Sequence, residues 1–577
     1  MTDSNRESGL AGLFCLLVVL ACFGMGIAGD FVWDDHQIVE RNPVVRTLNP
    51  AVHLGSEFFS RWEVEYGYYR PLVTFSLALD RLLSGGSPWL FHLTNLLLHA
   101  LNGFLLFNLL RRFSSRAVAA VASALFLVHP VQSEGVLWVS GRTDLLATCM
   151  LLTATLLYSG RFTGKRWRYV LFLCAVAGAL LAKEMAVTFP ALLLGAGLAG
   201  ALAGGDRFAG AAAGAWRRFL KRGAPALLLL VPYFGARFLV LGRLLGGAGE
   251  SAGVLPNPMA AADFSTRLFT AVHVLGKYCG LLVFPRVLTI EYNPEIVPPV
   301  ENPLSAAFLL PAGILLLLLI VMVRLTSRTP PAAFGAVSAL GSYFLVSGLP
   351  FPTPALMAER VLYLPMAGLA AIAGAVLVGI AARLAPGRYQ VPATAVLALL
   401  VLVPLGARTV ARVPDWHDDR SLFQATVRDH PESFLAWYNL GVNQLEAGDA
   451  ASALESVDRT LSYRPDYLPA RLTRAAVFTR LGDSDRSLAI LQAAEQDHPG
   501  HRAVRFRLVP ALAAQAAELE AAGDGPGAAA LHREVISLAS DSLIGDEGLD
   551  GPGIKALYHM HRAESLFRLG KVAEASD

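Results

Sequence analysis

The chain has 577 residues, is 54% apolar and 16% charged, and carries a formal net charge of +3 with a mean hydropathy of +0.49. A soluble protein of this length has about a quarter of its residues charged, so the excess apolar content excludes an ordinary soluble enzyme. No Lys/Arg stripe points to nucleic acid, and the five cysteines (Cys15, Cys22, Cys149, Cys174, Cys279) all fall in apolar runs, which excludes a disulfide framework and a thiol metal site.

The first apolar run, GLAGLFCLLVVLACFGMGIA (9–28), carries no charge and has no small-x-small cleavage site before Asp30. It reads as an uncleaved first span. Further spans are expected near 89–110, 116–131, 142–159, 168–182, 185–203, 223–241, 304–323, 331–348, 360–382 and 391–409. Basic residues gather in RRFSSR (111–116), GRFTGKRWR (160–168), WRRFLKR (216–222), RLTSR (324–328) and RLAPGR (383–388), which the positive-inside rule assigns to the cytoplasm. Between WRRFLKR and RLTSR the chain must cross twice, yet three apolar runs are present. The weakest is 268–284, which holds His273 and Lys277. Reading it as non-spanning leaves eleven spans, the N-terminus inside and the C-terminus outside.

Polar residues that are costly near a bilayer collect on the outer face, where they mark a substrate path. The first outer loop (30–88) holds the adjacent acids Asp34 and Asp35 with Trp33 beside them, then Glu40, Arg41, Trp62, Tyr68, Tyr69 and Arg70. Later loops supply His129, Glu134, Arg142 and Asp144, then Lys183 and Glu184, then Glu359 and Arg360. A carboxylate half-sunk among apolar helices has its pKa raised toward neutrality. Either acid of the pair then suits a general base that takes a hydroxyl proton. Arg70, Arg142, Lys183 and Arg360 are the cations for a phosphate. The structural alternatives are local pairs, Arg142 with Asp144 and Arg360 with Glu359, and His129 as a helix-end residue. His92 and His99, seven apart on one helical face, read as packing residues. Neither GxxxxGK[ST] nor a strand-borne GxGxxG is present, so a phosphate-handling membrane enzyme of this kind points to a lipid-linked phosphate donor.

After VPDW (413–416) the composition changes. WYNLGVNQLEAGDAASALESVDRTLSYRPD (437–466) carries the Trp, Leu-Gly, Gly-Asp, Ala-Leu and Pro of a tetratricopeptide repeat, and a 34-residue step takes Gly448 to Gly482 and Pro465 to Pro499. Repeats are expected near 433–466 and 467–500, with degenerate copies at 503–541 and 554–577. The resulting organisation is all-α: a polytopic membrane domain (1–410) followed by a repeat solenoid (411–577), whose groove suits a peptide.

Taken in order, FVWDD, YYRPL, FHLTNLLLHALNGFLLF, LFLVHPVQSEGVLWVSGRTDLLA, AKEMAVTFPALLL, LVFPRVLTIEY, MAERVLYLP and RVPDWHDDRSLFQATVRDHPESFLAWYNLG resemble the transmembrane-and-tetratricopeptide O-mannosyltransferase family of the GT-C glycosyltransferase superfamily. The resemblance implies about eleven spans and a catalytic acid in the first outer loop, with the family's acidic pair on Asp34-Asp35, its arginine-proline on Arg70-Pro71 and its lysine-glutamate on Lys183-Glu184. It also implies a polyprenyl-phosphate-linked sugar as co-substrate and a Ser/Thr hydroxyl of a protein as acceptor, outside the cytoplasm. Gln132 stands where relatives often have a second His, so a role needing two imidazoles there is not expected. The Ala/Leu/Gly-heavy composition and short loops suit a bacterial cytoplasmic membrane, with the repeats periplasmic and a sugar that need not be mannose. In this reading Asp34 and Asp35 are catalytic, Arg70, Arg142, Lys183 and Arg360 hold the donor phosphate, and Tyr69, His129, Glu134, Asp144, Glu184 and Glu359 support them. No metal ligands are assigned. The alternatives are a non-catalytic repeat scaffold for envelope assembly, and a GT-C transferase acting on glycan or lipid.

Overall fold

A computed structural model describes residues 3–59, 67–160, 166–244, 257–350, 353, 355–539 and 552–570; Trp62 lies outside the described residues. Among these, every regular element is helical. The chain divides into two compact units, residues 1–425 and 426–577.

In the first unit, seven described helices are long and apolar enough to cross a membrane: Glu7–Ala28, Pro88–Leu110, Glu184–Ala203, Phe208–Leu241, Ala306–Thr326, Glu359–Leu384 and Gly387–Trp416. Arg116–Val128 with Pro130–Leu137 makes an eighth if that pair, bent by 54°, counts as one span. The chain is therefore a multi-pass membrane protein. The other three of the eleven expected spans are Arg142–Ser159, Arg166–Ala182 and Pro330–Val346, of 18, 17 and 17 residues. They fall short of the same measure, and for two of them the packing shows why. Arg142–Ser159 buries Thr143, Thr148 and Thr155, and Pro330–Val346 buries most of its length among other helices. A helix surrounded by protein needs neither full bilayer length nor an apolar surface all round. Segment 268–284 falls in Phe264–Val283, which is not among the seven; it buries a narrow stripe of Thr270, Val274 and Tyr278.

Small residues let these helices approach closely, because apolar surface gains nothing by leaving lipid. A Cβ on Gly335 or on Gly368 would overlap the other's carbonyl. Pro88–Leu110 starts on a proline at its first turn and buries Phe91, Asn95, His99, Asn102, Leu106 and Leu109 along one face. The polar members of that face fix the loop that follows the bent pair. Asn95 Nδ2 donates to Trp138 O (2.9 Å) and Asn102 Nδ2 to Leu145 O (3.0 Å). His99 lies between the Tyr363 hydroxyl (2.7 Å) and Leu127 O (3.1 Å), a packing residue. Trp138 and Leu145 are thereby tied to Pro88–Leu110.

The second unit stacks helix pairs: Phe434–Glu446 with Ala450–Tyr463, Leu468–Arg480 with Ser484–Asp497, Arg502–Ala521 with Gly525–Leu538, and then Pro552–Arg568. Each described pair turns on a left-handed glycine, Gly448, Gly482 and Gly523, at φ between 81° and 85°. The Asp that follows caps the next helix, as where Asp449 accepts from Ser452 N (3.1 Å). The third repeat departs from the 34-residue step because its first helix runs 20 residues, against 13 in the second repeat.

Candidate active site

The first apolar helix ends in a 3-10 turn at Gly24–Ala28. The chain then folds into a tight turn at Val32–Asp35. Asp35 N donates to Val32 O (3.0 Å), and Val32 N returns a bond to Asp35 Oδ2 (3.3 Å). Trp33, inside this turn, has φ +52° and is the only described non-glycine residue with positive φ. That conformation costs an aromatic residue on the order of 1–3 kcal/mol. It is held by stacking of Trp33 on Trp138 (5.4 Å between centroids, 16° between planes) and by a bond from Trp33 N to Asp419 Oδ1 (2.7 Å).

The two acids of the turn differ. Asp35 is fully buried and accepts both the backbone N–H (2.8 Å) and the hydroxyl of Ser140. Asp34 is half-buried, and its carboxylate accepts no hydrogen bond among the described residues. Burial pushes Asp34 up to about 6, with the Arg360 charge pulling the other way. Burial pushes Asp35 up to about 7; the Ser140 and Val32 bonds oppose this, and the neighbouring Asp34 charge adds to it. Asp35 is thus committed to anchoring the turn, and Asp34 is the acid left open.

The four cations named from the sequence also separate. Arg142 is fully buried and paired. It pairs with Asp80 at 2.5 Å and donates to Asn95 Oδ1 (2.8 Å), Phe91 O (2.7 Å) and Ser76 O (3.4 Å). All three of its nitrogens have a protein partner and none of the side chain is exposed, so its place is that of a structural cation. Arg70, Lys183 and Arg360 each have a carboxylate partner and spare donors among the described residues. Arg70 gives Nε and Nη2 to Glu184 Oε2 (3.2 and 3.0 Å), while its guanidinium lies over the Tyr68 ring at 4.3 Å. Lys183 Nζ reaches Asp144 Oδ2 at 2.6 Å. Arg360 gives its backbone N–H (2.7 Å) and Nη1 to the two oxygens of Glu134, and lies 5.1 Å from the Trp138 ring centroid. The local pairs read from sequence do not form, since each cation instead takes an acid from a different part of the chain. The charges of Asp34, Arg70, Glu184 and Arg360 all act on Tyr68.

The supporting residues divide in the same way. Glu134, Asp144 and Glu184 orient the three cations. Glu359 sits apart from Arg360, accepting from Thr289 N (2.7 Å) and the Tyr292 hydroxyl (2.8 Å). Tyr69 donates to Leu54 O (3.0 Å) and is buried in the core. His129 is a helix-end residue: Nδ1 accepts from Val131 N (3.2 Å) and Nε2 bonds Leu282 O (3.0 Å). Sequence reasoning missed Arg237, which is buried, lies 3.5 Å from Glu184 and donates to Gly67 O (2.7 Å). Its signal was present, because a lone Arg inside an apolar run requires partners.

Over 554 residues the chain is 27% identical to protein O-mannosyl-transferase Tmtc1 of Drosophila melanogaster, covering 81% of this chain and 63% of that protein. Over 609 residues it is 25% identical to protein O-mannosyl-transferase TMTC3 of Mus musculus, covering 97% of this chain and 62% of that protein. Over most of its length the chain is thus similar to protein O-mannosyl-transferases. It spans less than two thirds of the length of these relatives. A tetratricopeptide repeat model matches residues 444–509, from the end of Phe434–Glu446 to the first part of Arg502–Ala521. Among solved structures, the archaeal oligosaccharyltransferase AglB from Archaeoglobus fulgidus aligns at a TM-score of 0.43 with 14% identity, over 76% of this chain and 60% of that one. The alignments to the O-mannosyl-transferases extend well beyond the repeats. Among the described residues of this chain, no group of three His, Cys, Asp or Glu side chains is arranged to hold a metal ion. The site consists of one open carboxylate and three cations with donors to spare.

Proposed function

We propose that this protein is a membrane glycosyltransferase of the GT-C type that moves a sugar from a polyprenyl-phosphate carrier to a Ser or Thr hydroxyl of a protein. The observation that carries the reading is the contrast between Asp34 and Asp35. An unpaired carboxylate near neutrality, beside a guanidinium, is the arrangement a general base requires. In the step proposed, the acceptor oxygen attacks the anomeric carbon while Asp34 takes its proton. The bond from that carbon to the phosphate oxygen breaks, and the electron pair leaves with the lipid phosphate. The spare donors of Arg70, Lys183 and Arg360 stabilise the charge that develops there. Glu134, Asp144 and Glu184 keep these cations in place before the donor arrives. The site lies at the membrane lip, where the reacting carbon of a lipid-anchored donor is found. The basic loops support an extracytoplasmic site and repeat unit, and the composition supports the cytoplasmic membrane of a bacterium. The repeat groove serves to present the acceptor peptide.

The test uses the full chain in proteoliposomes with radiolabelled polyprenyl-phosphate mannose, the sugar of the relatives' names, and a Ser/Thr-rich peptide. Transfer that is lost in Asp34→Asn supports the reading. Transfer that persists in Asp34→Asn overturns it.

A further inference from the structure

The turn that presents Asp34 is strained at Trp33, and what holds it comes from almost four hundred residues further along the chain, in the segment just before the repeats. Trp33 N donates to Asp419 Oδ1 at 2.7 Å, and His36 Nε2 meets Asp419 Oδ2 at 3.1 Å. Asp30 N donates to His417 O at 2.7 Å. The two carboxylate oxygens of Asp419 therefore bracket Asp34 from both sides in sequence. Asp419 belongs to the same compact unit as the turn, residues 1–425, and it is not needed as a helix cap. Asp418 does that work, accepting from Ser421 N (2.7 Å) and from the Ser421 hydroxyl (2.8 Å). The second Asp-Asp pair of this site thus repeats the division of the first, with one acid fixing local backbone and the other facing the reaction turn.

We propose that Asp419 is a positioning residue for transfer: it holds Trp33 in its left-handed conformation and so fixes Asp34 beside Arg360. This rests on the reading of Asp34 as the base. The physical reason is that a bulky residue persists at positive φ only where its surroundings over-determine it. The Trp33–Trp138 stack fixes the ring, while the Asp419 bond fixes the backbone N–H. His36 supports the arrangement. Its bond to Asp419 is the largest of the effects that push it up to about 9, so it is cationic at neutral pH and clamps the second oxygen. Without Asp419 the turn can relax, and Asp34 no longer has one address. A base displaced by an ångström loses a large part of its rate while donor binding, which depends on the cations, is retained.

Two variants of the full chain separate these roles. Asp419→Ala removes both bonds. Asp419→Asn keeps an amide oxygen to accept from Trp33 N and loses only the ion pair. Hydrogen exchange of the 31–36 segment, read by mass spectrometry, should speed up about tenfold or more in Asp419→Ala and stay near the wild-type rate in Asp419→Asn. In the transferase assay, kcat should fall about tenfold or more in Asp419→Ala, with KM for polyprenyl-phosphate mannose within about twofold, and most of the rate should return in Asp419→Asn. Unchanged exchange in Asp419→Ala overturns the proposal, as does faster exchange with unchanged kcat. The exchange measurement does not depend on turnover. A wild-type chain with no transferase activity but with the expected exchange pattern would therefore sink the enzymatic reading and leave Asp419 as the holder of the turn.

Discussion

Ser140 engages Asp35 through both its backbone N–H, at 2.8 Å, and its hydroxyl, and this leaves Asp34 as the only unpaired member of the adjacent acids. Replacing the two acids should therefore have different consequences. Asp34→Asn should lower transfer by about 10²-fold or more, the scale of removing a general base, while the thermal midpoint does not fall. Asp35→Ala strands the buried N–H and hydroxyl of Ser140 and should cost about 1–3 kcal/mol of stability. Its activity loss should follow from disorder of the turn. Thermal unfolding and initial rates measured on the same preparations check both, and equal stability losses in the two variants would contradict the assignment.

The pH dependence follows from the same pair. Asp34 must be ionised to accept a proton, so the acidic limb of the rate profile should rise through about pH 6 and vanish in Asp34→Asn. Like Asp34 with its smaller shift, Asp35 also acts on stability. Its folded pKa of about 7 lies above its ordinary 3.8, so between those values the folded protein holds a proton that the unfolded chain releases. The stability it contributes is complete below about pH 4 and is lost as the pH rises through 7. The fall in thermal midpoint between pH 4 and 8 should be shallower in Asp35→Asn than in wild type.

The cations should separate by assay. Arg360→Lys and Arg70→Lys keep a charge but lose the planar fork, and should raise KM for the lipid donor. Arg142→Ala leaves Asp80 charged and buried without its partner, and should destabilise the fold by about 3–5 kcal/mol. Purified Arg142→Ala that is as stable as wild type, with weakened donor binding, would return Arg142 to the phosphate site.

Much of this site was legible because loops carry function and their residues stand out against apolar spans. Asp34, Asp35, Arg70, Lys183 and Arg360 were all visible as charges placed where charge is expensive. Which of them are open was not legible, because that depends on partners far away in sequence. Arg142 has Asp144 two residues on, yet takes Asp80, while Asp144 takes Lys183. Glu359 is adjacent to Arg360, yet Arg360 takes Glu134. A residue's sequence neighbours on a helix start point in other directions, so proximity along the chain was a poor guide to pairing. Asp419 could not be read at all, since an Asp-Asp at a helix N-terminus is adequately explained by capping. Three of the eleven expected spans fall short of the length and hydropathy of a lipid-facing helix for a related reason. Arg142–Ser159 is buried by other helices, and hydropathy reports the lipid-facing surface better than it reports the interior of a bundle.

Sidedness is the remaining test, because the proposed chemistry needs a carrier already flipped across the membrane. The proposed topology, drawn from five basic segments, puts RLTSR in the cytoplasm and the first loop outside. Single cysteines in a cysteine-free background report this directly; the background is needed because Cys174 is exposed on its helix. Ala51, in the short helix Pro50–Leu54, is exposed, as are Ser327 in RLTSR and Ser462 in the first repeat. Ala51→Cys and Ser462→Cys should react with an impermeant thiol reagent added to intact cells whose outer barrier has been opened. Ser327→Cys should react only once the inner membrane is breached. Labelling of Ser327→Cys in intact cells would invert the topology and remove the reading of Asp34 as an extracytoplasmic base. Labelling of Ala51→Cys without Ser462→Cys would mean an odd additional crossing, for which Phe264–Val283 is the available helix. The repeats would then be cytoplasmic and could not present an acceptor to Asp34.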